Sequence, residues 1–332
     1  MKKITLLLFL SLWYFNIING QVIKNKLLPS LDGTIKTKYE FAFDTGTSRF
    51  SVRNSRLGLS GEISEYLCYK TQIELSSNGK FEVLDLFATV KPFKGMKLTL
   101  GQSSIPLFNS YQTSPSIMMF ANRSFLAKYN TGSRDIGIHA SYSATLIRIP
   151  VTFELGVYDG STINNPVWTE NVAYSGRISF GNMSGLRASA KVHSYPYSDQ
   201  QNYLFAGADL RYSMERFRIQ AEVMNRHNRY DGIDRFTSYI ESEISIPLKN
   251  GKMFREIIPA VRWDGISENL ANDGFDITRL TLGLSFGFTS KPFSSLLRMD
   301  YENYFVKRSL PEFLLCDEND SDKFTLELLI IF

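Results

Sequence analysis

The sequence predicts an all-β fold, a transmembrane antiparallel barrel of about sixteen strands. Three observations predict it: a start that reads as an export signal, a two-residue alternation repeated along the chain, and the chemistry of the faces that alternation separates.

The start comes first. Met1 is followed by Lys2 and Lys3, an apolar run from Ile4 to about Ile18, and then Asn19-Gly20-Gln21. A charged beginning, a short apolar middle and a small residue at the end form a secretory signal peptide, with cleavage near Gly20. The run is shorter than the roughly 20 residues of a spanning helix, and no cysteine ends it to carry a lipid. No Pro-rich linker, composition shift or charge block divides the remainder of the chain. The expected organisation is a signal peptide over 1–20 and one barrel domain over 21–332.

Alternation then organises the chain. Ile147, Ile149, Val151, Phe153, Leu155 and Val157 share one face, and Arg148, Thr152 and Glu154 the other. Phe217, Ile219, Ala221 and Val223 alternate with Arg216, Arg218, Gln220 and Glu222. Leu280, Leu282, Leu284, Phe286 and Phe288 alternate with Arg279, Thr281, Gly283 and Ser285; Leu297, Met299 and Tyr301 alternate with Arg298, Asp300 and Glu302. A soluble sandwich would bury the apolar rows and wet the others. Rows this long and aromatic, set against large charges interspersed with Gly and Ser, fit hydrocarbon outside and water inside.

In order, strands are expected near 34–44, 49–62, 66–76, 81–91, 95–104, 134–144, 147–158 and 172–181. The rest are expected near 186–194, 203–213, 216–226, 235–247, 256–264, 276–289, 295–305 and 323–332. Short turns suit Ser213-Met214-Glu215 and Ser290-Lys291-Pro292, and long polar loops suit 159–171, 195–202, 227–234, 264–275 and 306–322. The last strand carries Phe324, Leu326, Leu328, Ile330 and Phe332 on one face. A terminal aromatic there resembles the signal read by the barrel-assembly machinery.

Composition agrees. Aromatics make up 14% of the chain, a surplus that interfacial girdles would use. A formal charge of +4, dispersed through the strands, gives no footprint for nucleic acid. Cys68 and Cys316 lie far apart and are read as free thiols. Of the histidines, His139 and His193 are placed on the lumen and His227 at a loop; they form no metal-ligand spacing. No nucleophile elbow or phosphate-cradling glycine loop is present, so no catalytic, metal or cofactor residue is assigned. Asn122-Arg123-Ser124 scans as a glycosylation acceptor and is read as coincidence.

Several short blocks occur in order: Val52 to Gly61, Tyr69-Lys70-Thr71-Gln72-Ile73-Glu74-Leu75, Gly101-Gln102, Ile105-Pro106-Leu107, Asn122-Arg123-Ser124 and Arg134-Asp135-Ile136-Gly137-Ile138. Gly207-Ala208-Asp209, Ala221-Glu222 and Pro259 to Asp264 come after them. This succession resembles the phosphate-selective porin O/P family over nearly the whole mature chain. The resemblance implies a sixteen-stranded outer-membrane porin, usually a homotrimer, with a loop folded into the channel to constrict it. Phe108 to Ser133 is the segment that would form that loop. It also implies anion selectivity from lumen arginines and a lysine near the constriction. Here the sequence departs: the position after Arg53, often basic in the family, is Asn54, and acids are frequent on the lumen face. No strongly cationic ladder is expected, and phosphate is not marked as the cargo.

Alternation assigns Arg56, Arg148, Arg177, Arg187, Lys191, Arg211, Arg218, Arg262, Arg279 and Arg298 to the lumen. Glu154, Asp209, Glu222, Glu241, Glu243, Asp264, Asp300 and Glu302 lie on the same faces. Each arginine has two readings, a contact for passing anions or half of a cross-strand pair that stiffens the wall. The pore-lining candidates are Arg56, Arg123, Lys128, Arg177, Arg218, Arg262 and Arg298, with Arg123 and Lys128 on the constricting loop. The expected function is a water-filled channel for small solutes, weakly preferring anions, in contact with outer-membrane lipid. The rivals are a barrel enzyme of the same membrane and a blocked barrel with a binding or assembly role.

Overall fold

The computed structural model describes residues 28–75, 79–107, 114–130, 132–198, 200–310 and 321–332. The expected signal peptide and Cys316 lie outside these residues. Strands β1 (Ser30–Ala42), β2 (Thr47–Val52 continued by Ser55–Ser64), β3 (Leu67–Leu75), β4 (Phe81–Val90), β5 (Met96–Ser104) and β6 (Arg134–Leu146) come first. They are followed by β7 (Ile149–Tyr158), β8 (Ala173–Gly181), β9 (Gly185–Ser198), β10 (Gln201–Met214) and β11 (Phe217–Asn228). The last are β12 (Asp234–Ile244 continued by Ile246–Pro247), β13 (Glu256–Ser267), β14 (Ile277–Gly287), β15 (Leu296–Val306) and β16 (Lys323–Ile331). The 18 hydrogen-bonded segments thus make sixteen strands, each antiparallel to the next.

The sheet closes on itself because β1 pairs with β16, from Thr34 opposite Ile331 to Ala42 opposite Lys323. Closure satisfies every edge, which a sheet in hydrocarbon requires. At the seam the Gly33 and Phe332 backbones exchange hydrogen bonds of 2.8 and 3.1 Å. A Cβ on Gly33 would stand 2.3 Å from the Phe332 ring, so only glycine lets the terminal aromatic lie across the first strand. In β2 the ladder to β1 slips by one residue across Asn54, which has φ 55°. That is a bulge.

Exposure is inverted relative to a water-soluble protein. Leu100, Leu155, Val157, Leu210 and Leu282 are exposed, whereas Arg262, Arg279, Arg298, Lys36 and Glu327 are buried. The two sets occupy alternating positions of the same strands. Charges gathered inside and aliphatics outside are stable only where the outside is hydrocarbon. Aromatic rings gather outside near both rims. Phe43 lies edge-on to Phe41 and Tyr301 at one rim, and Trp263 edge-on to Phe275. Phe93–Tyr142, Tyr212–Phe217 and the pairs of Phe254 with Phe286 and Phe288 lie at the other. L282R, at the centre of β14, should therefore cost about 2–4 kcal/mol. Urea unfolding of vesicle-inserted protein checks this; an unchanged midpoint would mean that this face does not meet lipid.

Connections differ between the rims. The terminal rim, where β1 begins and β16 ends, carries the turns 65–66, 91–95, 147–148, 182–184, 215–216, 248–255 and 288–295. The loop rim carries 43–46, 76–80, 105–133, 159–172, 199–200, 229–233, 268–276 and 307–322. Strand positions agree with the sequence reading, with three corrections. No long loop spans 195–202: β9 runs to Ser198 and β10 starts at Gln201. Ile147 and Arg148 do not continue a strand but form the exposed turn between β6 and β7, with φ of 48° and 70°, so Arg148 is not a lumen residue. The turn expected at 213–215 falls at 215–216 because β10 continues to Met214.

Candidate functional site

The lumen is the site, and the connection after β5 shapes it. Its described stretch from Ser114 to Asn130 is mostly buried although no strand contains it. Pro115 starts a 3-10 turn, Pro115–Ile117, that the Ser114 hydroxyl caps. Ser124 then caps a five-residue helix, α1 (Phe125–Tyr129), by accepting from the Ala127 N–H at 3.4 Å. Segments this short have little stability of their own. The inner wall of β11 to β16 and β1 holds them.

The hold is a set of wall cations on backbone carbonyls. Arg298 Nη2 donates to the Met118 carbonyl at 2.7 Å, Arg262 Nη1 to Asn122 at 2.8 Å and Arg279 Nη2 to Arg123 at 2.8 Å. Lys36 Nζ donates to Ala121 at 3.2 Å, Arg218 Nη1 to Ile117 at 3.1 Å and Arg235 Nη1 to Tyr129 at 3.3 Å. Wall acids take the backbone donors: Asp300 accepts from the Ala121 N–H at 2.7 Å and Asp264 from Phe125 at 2.8 Å. The Arg262 guanidinium lies 4.7 Å over the Phe120 ring and that of Arg279 lies 4.4 Å over Phe125. Gly283 leaves the space this needs, since a Cβ there would meet the Phe120 ring at 3.0 Å and Asp300 Oδ1 at 2.9 Å. Away from the clamp, inward Tyr158, Tyr195, Phe205, Met224 and Tyr239 receive Ile105, Leu107 and Leu126 in one apolar cluster.

Cross-strand pairing sets the remaining charges. Arg56 stands opposite Glu74 in the ladder and bonds it at 2.6 Å. Arg177 stands opposite Glu154 and bonds it through Nε and Nη2. Arg218 pairs with Glu243, and Lys191 with both Asp209 and Glu222. Arg298 bonds Glu327 at 2.7 Å, which also holds Lys36 at 2.9 Å. Arg279 reaches Asp264 at 2.7 Å and Glu302 at 3.2 Å.

The seven pore-lining candidates therefore divide. Arg218, Arg262 and Arg298 hold the inward loop while pairing with wall acids. Arg56 and Arg177 belong to pairs on the uncovered wall. Arg123 is half-buried and lines a small cleft with Met118, Met119, Phe120, Gln220 and Glu241. Lys128 is half-buried with its ammonium 5.0 Å over the Tyr129 ring.

One arrangement lies outside these seven. Arg187 and Arg211 stand directly opposite each other in the β9–β10 ladder, two like charges where a pair would favour opposite ones. They are 6% and 7% exposed, and neither makes an ion pair among the described residues. Arg187 donates to Met183 Sδ and Ser189 Oγ, whereas Arg211 Nε and Nη1 have no partner. Both were legible as lumen residues, but register was needed to set them face to face.

His193 is buried, with Nδ1 2.7 Å from Ser175 Oγ and its ring stacked on Tyr195. His139 is half-buried near Glu154, and His227 is near Asp234 at the loop rim. Among the described residues no cluster of His, Cys, Asp and Glu is arranged to hold a metal. Cys68 is a free thiol on the inward row of β3, opposite Glu62 and Thr89 near the terminal rim. In a C316S background, a charged methanethiosulfonate reagent should label Cys68 and lower single-channel conductance. Complete labelling with unchanged current would place this row outside the permeation path.

A barrel of this geometry has relatives. The family described as phosphate-selective porin O and P matches residues 36–232. No curated protein matches the chain in sequence. Among solved structures, the outer membrane channel DcaP of Acinetobacter baumannii superposes with TM-score 0.61 at 12% identity, covering 92% of this chain and 97% of that one. An anion-selective porin from Comamonas acidovorans gives TM-score 0.59 at 14% identity, covering 92% and 99%. The trimer form of OmpT, an outer membrane protein of Vibrio cholerae, gives 0.60 at 11% identity, covering 92% and 99%.

Proposed function

Because the chain belongs to the phosphate-selective porin O and P family, we propose that it is an outer-membrane porin, a water-filled passage for small solutes with a weak preference for anions. Export by a cleaved signal peptide over 1–20 and insertion by the barrel-assembly machinery precede this role. Both termini face the periplasm, which puts the loop rim outside the cell. The role is passage rather than catalysis: the lumen carboxylates Asp209, Asp264, Asp300 and Glu327 are held by wall cations or by the inward loop. A homotrimer is the expected assembly, in keeping with the trimer form of OmpT.

The anion preference is carried by one observation, the facing Arg187 and Arg211 side chains, neither of which makes an ion pair among the described residues. The wall cations Arg56, Arg177, Lys191, Arg218, Arg262, Arg279 and Arg298 are each paired with a carboxylate, so those stretches of wall are nearly neutral to a passing ion. Fixed guanidinium donors left over would stabilise an anion by charge and by hydrogen bonding. Phosphate is not singled out, because among the described residues no convergent set of donors for a tetrahedral oxyanion accompanies the two arginines. Reversal potentials across a planar bilayer under a potassium chloride gradient test this. Chloride should permeate about twofold better than potassium at neutral pH. A clear potassium preference would refute the anion reading and leave the channel reading standing.

A further inference from the structure

The two rims carry opposite charge. Turns of the terminal rim present Lys94, Arg148, Lys249, Lys252 and Lys291, all exposed and none ion-paired among the described residues. Only Glu65 and Glu215 oppose them within those turns. The loop rim is acidic instead, with Asp44, Asp159, Glu170, Asp231 and Asp273 in its connections. A dispersed +4 for the whole chain conceals this polarity, which emerges only when strand direction sorts the connections.

The basic rim is also apolar at its tips. Phe93 precedes Lys94, Ile147 precedes Arg148 and Met253 follows Lys252. These three apolar side chains are 60%, 96% and 65% exposed. Ile147 and Arg148 hold left-handed φ angles that a β-branched residue resists and that Asn-Gly would adopt without strain. The turn thus keeps a greasy tip and a cation at a conformational cost. Phe254, Phe286 and Phe288 cluster at the same level of the barrel.

We infer that the terminal rim is a docking surface for anionic phospholipid of the adjoining leaflet, the cations meeting phosphodiester headgroups and the apolar tips entering the top of the acyl layer. Three physical features support that occupant. The surface continues the hydrocarbon-facing belt, its charge is complementary to a phosphodiester, and aromatic and basic side chains together favour the bilayer interface. A soluble acidic partner would answer the cations but leave Phe93, Ile147 and Met253 in water. This inference goes beyond the porin reading and needs only that the outer face meets lipid.

The test uses full-length mature protein in vesicles of phosphatidylcholine with phosphatidylglycerol, and compares how strongly spin-labelled forms of each lipid associate with the barrel perimeter. Phosphatidylglycerol should be favoured about threefold at low salt, and the preference should fade toward 1 M salt. The variant K94Q/R148Q/K249Q/K252Q/K291Q should lose the preference while still forming conducting channels. Its substitutions lie in exposed turns, and its conductance reports folding independently. Equal association of the two lipids with the native protein would overturn the inference, as would a preference that survives in the conducting variant. A variant that loses binding of soluble acidic muropeptides but keeps its lipid preference would also overturn it, in favour of a soluble partner. None of these outcomes bears on whether the barrel conducts.

Discussion

The double variant R262M/R298M is expected to raise single-channel conductance and make it noisy. Both guanidiniums donate to carbonyls of the inward loop, at Asn122 and Met118, four residues apart on its tip. A hydrogen bond from a charged group contributes about 1.5–3 kcal/mol net. Two such losses exceed what a segment with only a 3-10 turn and a five-residue helix can recover by itself. Lys36, Arg218, Arg279 and Asp300 would still tether the loop, so it should fluctuate rather than leave. Methionine approximates the length of the side chains without the charge. Removing Arg298 also leaves Glu327 with Lys36 as its ion-pair partner in the described structure. Breaking a buried pair costs about 3–5 kcal/mol. A lower unfolding midpoint should therefore accompany the larger current. A destabilised variant with native conductance would show that the loop does not narrow the path.

Inverting the facing arginines should have the largest effect on selectivity. R187E/R211E replaces two positive charges by two negative ones at adjacent positions of the wall, turning the preference from chloride to potassium. Charges held within a Debye length of a passing ion govern it, about 10 Å at 0.1 M salt and 3 Å at 1 M. The reversal should be pronounced in dilute salt and small in molar salt. R177E serves as a contrast: its partner Glu154 already neutralises the site, and the change would set two acids opposite each other. It should destabilise the wall more than a surface change does while moving selectivity less than the double inversion. Equal selectivity shifts from R177E and R187E/R211E would contradict the distinction drawn between paired and unpaired arginines.

Much of this architecture was legible in the sequence, because the boundary between hydrocarbon and water is written into every second residue. Leu280, Leu282 and Leu284 fall outside and Arg279 and Thr281 inside, as alternation required. Legibility failed where inward residues are not polar. Around Tyr195 and Tyr197 the inner row is aromatic and Pro196 interrupts the outer one, so β9 resembles a loop although it continues to Ser198. Tyr195, with Tyr158, Phe205, Met224 and Tyr239, receives the base of the inward loop. An aromatic break in a polar row was therefore the available sign of something docked inside. The turn at Ile147-Arg148 lacks the usual turn residues, which hid it within an apolar run.

The clamp was not legible. Arg298 and the Met118 carbonyl lie 180 positions apart, and a backbone carbonyl carries no residue signature. Arginines that alternation alone placed along a solute path are, in three of the seven candidate positions, holding the loop that shapes it. Register supplied the complementary information by setting Arg187 against Arg211, a pairing that neither position suggests alone.

A charged, water-filled interior should pass through a barrel whose outer face meets lipid. Adding detergent-purified protein to a planar bilayer tests this most directly. Discrete upward current steps are expected, their size following the bulk conductivity of the salt. Protein that inserts without producing steps, or whose current ignores salt concentration, would contradict a porin.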